Sequence, residues 1–145
     1  MERKDGEVLV KAVEFLEEED SSKIIDFLDD HEDTQIVNRE VVVSRKNVIH
    51  AVKETERAYE QGEEISHVET IGLLLRLTGT RQIKEAIEKA KVKGKKAIFI
   101  CFSQNPEETW REFKEKFPLK EEELPTASEE EIKKEMEKTS TFLMD

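Results

Sequence analysis

One stretch constrains this chain more than any other: the six apolar residues Ala97 to Phe102 (AIFICF). An unbroken apolar run of that length, bounded by polar KGKK and SQNP, predicts a central β-strand covered on both faces. Cys101 lies inside it, with no adjacent histidine or cation to activate it, so a buried inert thiol is expected. A covered strand needs a sheet and helices around it, and the rest of the chain supplies both patterns.

Glu7 to Phe15 alternates as a first strand and Thr34 to Val37 reads as a second. Between them Ser22 is placed to cap a short helix with Ile24, Ile25, Phe27 and Leu28 inward. Val41, Val42 and Val43 suit a strand extension as β-branched residues, while a helical turn over Arg39 to Val43 is the other reading. Ser44 opens a long helix, about residues 45–61, with Val48, Ala51, Val52, Thr55, Ala58 and Tyr59 inward and Gly62 closing it. His50 beside that stripe reads as structural. His31 lies among acids with no second histidine at ligand spacing, so it reads as solvated rather than metal-bound. After the central strand, Asn105 and Pro106 start a helix with Pro at its first position. Its stripe of Trp110, Phe113 and Phe117 reads as core. Residues 119–124 offer a short edge strand. Ser128 and Glu131 form a capping box ahead of a last helix with Ile132, Met136, Thr139 and Leu143 inward.

The stretch SHVETIGLLLRLTGTRQIKEAIEKAK, residues 66–91, predicts two helices joined at a tight break. Ser66 and Glu69 form a capping box. Val68, Ile71, Leu74, Leu75 and Thr78 recur at helical spacing, and Leu73 and Leu77 fill the flank, so the first helix is buried on several sides. A short strand competes over Ile71 to Leu77. Gly79 suits the left-handed residue that follows many helix ends, and Thr80 suits the next cap. Ile83, Ala86, Ile87 and Ala90 form the inward stripe of the second helix. Its N-terminus offers amides and a dipole that favour an anion at Thr78, Gly79, Thr80 and Arg81. An ordinary helix–helix joint is the alternative.

The predicted order is β-α-β-α-α-α-β-α-(β)-α. The class is α+β: a two-layer single domain with a small mixed sheet of three to four strands packed with about six helices. A length of 145 residues suffices for one such core. Charged residues make up 41%, mostly Glu and Lys, which resembles hyperthermophile composition. One Cys excludes an internal disulfide or a Cys-rich zinc site. No apolar run approaches the ~20 residues of a membrane span. The opening MERKDGEVLV lacks a signal-peptide core, so the expected compartment is the cytoplasm.

Net charge is −11, which argues against a protein that coats nucleic acid indiscriminately. The charge is uneven. Residues 13–33 hold ten acids and one Lys, whereas residues 76–96 hold eight cations and two Glu. The asymmetry fits an acidic side facing solvent or a basic partner and a basic side facing an anion. A solvated surface with chance clustering is the other reading. No Ser-His-Asp or Cys-His set, no phosphate-binding glycine loop and no metal or cofactor motif stands out, so the expectation is not an enzyme.

The segments EVVVSRKNVIHAV and ETIGLLLRLTGTRQIKEAIEKA, between Glu40 and Val92, resemble the small kinase-associated subunit of the KEOPS complex (the TPRKB family). The most specific part is ETIGLLLRLTG followed by Thr80, Arg81, Gln82, Ile83, Glu85, Ala86 and Ile87. The likeness weakens over the first 33 and last 30 residues, and Asn47 stands where many members have a His. The resemblance implies a non-catalytic, archaeal-type accessory subunit of the machinery that makes threonylcarbamoyladenosine at position 37 of tRNA. It implies binding to the KEOPS kinase/ATPase subunit, an indirect link to the threonylcarbamoyl-transferase subunit, and a grip on the 3′ CCA end of tRNA. It also favours the helical turn at Arg39 to Val43. On charge and turn position, the expected tRNA contacts are Arg76, Thr78, Gly79, Thr80, Arg81, Gln82, Lys84, Lys91, Lys93 and Lys95. The expected kinase contacts are leftover apolar positions: Leu73, Phe142, Leu143 and Met144. A protein-interaction scaffold that never touches RNA is the alternative function. A small-molecule enzyme on a similar fold is a third and would need a deep pocket with a perturbed acid.

Overall fold

The computed structural model describes residues 8–62 and 69–140. Eleven elements follow in the expected order: β1 (Leu9–Phe15), α1 (Ser21–Asp30), β2 (Thr34–Asn38), a single 3-10 turn (Arg39–Val41), α2 (Arg45–Glu60), α3 (Glu69–Thr78), α4 (Ile83–Ala90), β3 (Lys96–Cys101), α5 (Pro106–Lys116), β4 (Leu119–Glu122) and α6 (Glu129–Ser140). The class is α+β. Packing divides the described residues into two compact units, one from 8–39 with 92–124, the other from 40–62 and 69–91 with 125–140.

The first unit is built on the sheet, in strand order β2-β3-β1-β4. β3 therefore lies inside the sheet, as its apolar run requires. All three pairings are antiparallel, with Val13 opposite Ala97, Ile36 opposite Phe99 and Phe15 opposite Leu119. The expected mixed sheet is thus corrected to an antiparallel one. Strand direction depends on where the intervening helices return the chain, and local pattern does not record that. Alternation sends Val13, Phe15, Ile36, Ala97, Phe99 and Cys101 to one face, where they join Ile24 and Phe27 of α1 and Trp110, Phe113 and Phe117 around α5. Phe113 sits at the middle of this cluster, with ring centroids of Phe27, Phe99 and Phe117 at 5.2, 5.0 and 4.9 Å. Val10, Ala12, Val37, Ile98 and Ile100 on the opposite face are buried too.

Three local expectations in this unit change. The α1 cap is Asp20, which accepts from the Ser22 amide at 2.9 Å, so Ser22 is already helical. Ile25 is 55% exposed, because one helix resting on a sheet covers only a narrow stripe, here Ile24 and Phe27. His31 is not simply solvated. Its ring stacks on Phe27, and its nitrogens sit 2.8 Å from the Phe27 carbonyl and 2.9 Å from Glu112 of α5.

The second unit is helical. α2 packs on α3 and α6, and α3 packs on α4. Ser44 caps α2 by accepting from the Asn47 amide at 3.2 Å, and the Asn47 side chain accepts in return from the Val43 amide. Asn47 is buried in that reciprocal cap, so its part here is structural. Val41 closes the 3-10 turn rather than extending a strand. α3 is a helix and not the competing strand, with Gly72 through Leu77 all buried. At α6 the Ser128 hydroxyl accepts from the Glu131 amide at 3.1 Å, the first half of the expected capping box, and donates to the Glu131 carboxylate at 3.1 Å. Ser66, Val68 and Leu143, which figured in the sequence reading, lie outside the described residues, as does Glu7. No described helix is long and apolar enough to cross a membrane.

Candidate nucleic-acid interface

The joint between α3 and α4 is the place to look for the anion contact. α3 ends because Gly79 adopts φ +74°, a conformation that side chains disfavour. The amides of Gly79 and Thr80 both donate to the Leu75 carbonyl, at 2.9 and 3.3 Å. The Thr78 hydroxyl turns back onto the Leu74 carbonyl at 2.9 Å. Thr80 is buried. Its hydroxyl accepts from the Gln82 amide at 3.2 Å and donates to Glu85 at 3.3 Å. The residue at the cap position of α4 is Gln82, whose side chain makes no cap bond.

These bonds redistribute the expected contacts. The Thr78 and Thr80 hydroxyls and the amides of Gly79, Thr80 and Gln82 are committed to the turn itself. An anion at this joint would therefore meet side-chain cations more than backbone donors. Glu85 already places a carboxylate in the first turn of α4. Lys89, bonded to it at 3.1 Å, holds that carboxyl below its usual range, and the Thr80 hydroxyl adds to the effect. The favourable charge at this helix start is thus supplied from within.

Arg81 and Gln82 are exposed just ahead of α4, Lys84 is exposed on its first turn, and Lys91 is exposed at its C-cap. Eight residues of helix separate those ends by about 12 Å. Lys93 and Lys95 are exposed as well, but they belong to the sheet unit, on the loop into β3 where the Lys95 carbonyl accepts from the Phe15 amide at 2.8 Å. Two expectations fail. Arg76 is 3% exposed and donates to the Gly72 carbonyl at 3.2 Å, so it does not reach the surface. Leu73 is fully buried and offers nothing to a kinase. Both failures have one cause: α3 is enclosed on nearly every side, and its polar residues are enclosed with it. Phe142, Leu143 and Met144 lie outside the described residues.

Sequence reasoning missed two features. Lys138 of α6 runs its stem over Gly79, so close that a Cβ there would lie 2.2 Å from Lys138 Cε. Its ammonium pairs with Glu135 at 3.5 Å and adds a cation beside the turn. The only signal for it was a Lys on the outer face of a late helix, which singles out nothing. The second feature is that Ile83 and Ile87, expected in the core, are 42% and 48% exposed. With Leu16 and Ile25 they make up the large exposed apolar side chains of the described residues. Among those residues no His, Cys, Asp and Glu cluster is arranged to hold a metal ion. Compared with known proteins, the chain matches no family model and no curated protein.

Proposed function

We propose that this protein is a non-catalytic, cytoplasmic subunit of a KEOPS-type complex that recruits tRNA by its 3′ CCA end and docks on the complex's kinase/ATPase subunit. The observation that carries the reading is a short helix that bears the exposed Lys84 and is flanked by the exposed Arg81 and Lys91, on a chain of net charge −11. A bounded cationic face on an acidic body favours a limited footprint on a polyanion over general affinity. The resemblance between Glu40 and Val92 supplies the identity of that polyanion. For the kinase, the large exposed apolar side chains of the sheet unit are Leu16 and Ile25, set in the acidic segment.

The test is binding of purified protein to intact tRNA and to tRNA trimmed of its CCA, across a salt series. Intact tRNA should bind more tightly than trimmed. Reversing two charges with Arg81→Glu and Lys84→Glu should weaken binding and flatten the salt slope by about 1.4, at roughly 0.7 per lost single-strand phosphate contact. An unchanged affinity and slope in that variant would overturn the α4 face. A second reading has its own support: the turn's hydroxyls and amides are already spent on internal bonds, as befits a kinase-binding scaffold that does not touch RNA. Kinase binding without salt-sensitive tRNA binding would select it.

A further inference from the structure

Ile83 and Ile87 are spaced four residues apart, so their side chains are neighbours on one face of α4. Nearly half of each is exposed, while Ala86 and Ala90 take the covered positions beside them. Lys84 lies three residues before Ile87 and Lys91 four after it, which puts both cations along the edge of the same apolar strip. Glu85, on the other side of the helix, is tied to Lys89.

We infer that Ile83 and Ile87 form the seat of one unpaired nucleobase, with Lys84 and Lys91 taking the phosphates on either side of it. The inference rests on the RNA-binding reading above and adds to it the recognition of a base. Three features favour a nucleotide over a protein partner. The strip is about one ring wide, far below the ~1,000 Å² that a stable protein interface requires. Its apolar centre has cations along its edge, the mixture that a flat base between two phosphates complements. Unpaired bases also expose the faces that a protein can cover, whereas paired ones do not. Two half-exposed isoleucines together offer roughly the apolar area of one, and covering most of it corresponds to about a tenfold gain in affinity.

The test uses the full chain and two short RNA oligonucleotides of equal length and charge, one intact and one with an abasic site at its penultimate position. The wild type should prefer the intact oligonucleotide by about tenfold. Ile83→Ser with Ile87→Ser should abolish that preference while leaving the salt slope and the affinity for the abasic probe in place. Both positions are exposed, so a folded variant is expected, and circular dichroism checks it. A variant that keeps the wild-type preference overturns the inference and leaves the strip to a protein partner. Equal binding of both probes by the wild type overturns base recognition while leaving the phosphate face intact. Binding of neither probe overturns the RNA-binding reading, and this inference with it.

Discussion

Three glycines share a left-handed backbone but not a neighbourhood, which makes them a built-in control. Gly62, Gly79 and Gly94 have φ of +69°, +74° and +76°. Among the described residues, a Cβ at Gly62 or Gly94 would meet nothing within 4 Å, whereas at Gly79 it would run into Lys138. At the two open positions an alanine adds only backbone strain. The left-handed conformation costs a residue with a Cβ roughly 1–2 kcal/mol, and the lower entropy of the unfolded chain offsets about 0.4–1 of it. The net loss should be about 1 kcal/mol, a fall of about 0.5 M in the urea midpoint. Asparagine tolerates this conformation, so Gly62→Asn and Gly94→Asn should recover most of that loss. At Gly79 neither replacement escapes Lys138. Because the obstacle is a flexible, 43% exposed side chain, it should swing away, losing its packing and the Glu135 pair for about a further 0.5 kcal/mol. Gly79→Asn should therefore remain destabilising, and Lys138→Ala should relieve the excess. Urea unfolding followed by circular dichroism measures the whole series. If Gly62→Ala and Gly94→Ala are neutral, the strain argument fails. If asparagine rescues Gly79 as well as it rescues Gly62, the close approach of Lys138 is refuted.

Two further outcomes follow from the sheet unit. Phe113→Ala should cost about 3–5 kcal/mol in urea unfolding followed by Trp110 fluorescence, because it removes the ring at the middle of the aromatic cluster and leaves a cavity; a loss under 1 kcal/mol would show that the cluster collapses around the gap. Glu14 and Lys120 pair at 3.0 Å across β1 and β4, and Lys120 holds the Glu14 carboxyl below its usual range while Glu14 raises the Lys120 ammonium. The carboxyl's contribution is present above the ordinary glutamate range and lost as pH falls through its lowered value; the ammonium's is present below the ordinary lysine range and lost as pH rises through its raised value. Lys120→Met should therefore flatten the acid side of the stability profile slightly, the pair being solvent-screened, and an unchanged profile would remove the pair from the account.

The order of elements was legible because each carried a local signal with a mechanism. Six apolar residues announced β3, and side-chain caps announced α2 through Ser44 and α6 through Ser128. What stayed hidden was which apolar positions would find a partner. Periodicity shows that a helix has an apolar face, but not how wide a strip its neighbour covers. In α4 the covered strip is narrow enough to take Ala86 and Ala90 and leave both isoleucines in solvent. The reverse error occurred in α3. Arg76 and Leu73 look outward on a helical pattern, yet burial of Gly72 through Leu77 leaves no outward face, and the Arg76 guanidinium turns to the Gly72 carbonyl. The candidate site was therefore legible as a segment and misread in depth.

That depth changes what α4 can do. A phosphate drawn by the free amides of a helix start would be held without any side chain, and charge reversal on the helix would matter little. Here the start of α4 carries Glu85, kept ionised by Lys89, and Thr80 spends its hydroxyl between that carboxylate and the Gln82 amide. Lys89 is thereby engaged in cancelling Glu85, and the four cations in and around the helix, Arg81, Lys84, Lys89 and Lys91, are set against Glu85 and Glu88. So few cations reach few phosphates, and binding that rests on them should be shallow in salt dependence and dispensable at high ionic strength. Discrimination must then come from contacts that salt does not screen. Among the described residues of this helix, Ile83 and Ile87 are the exposed side chains able to make them.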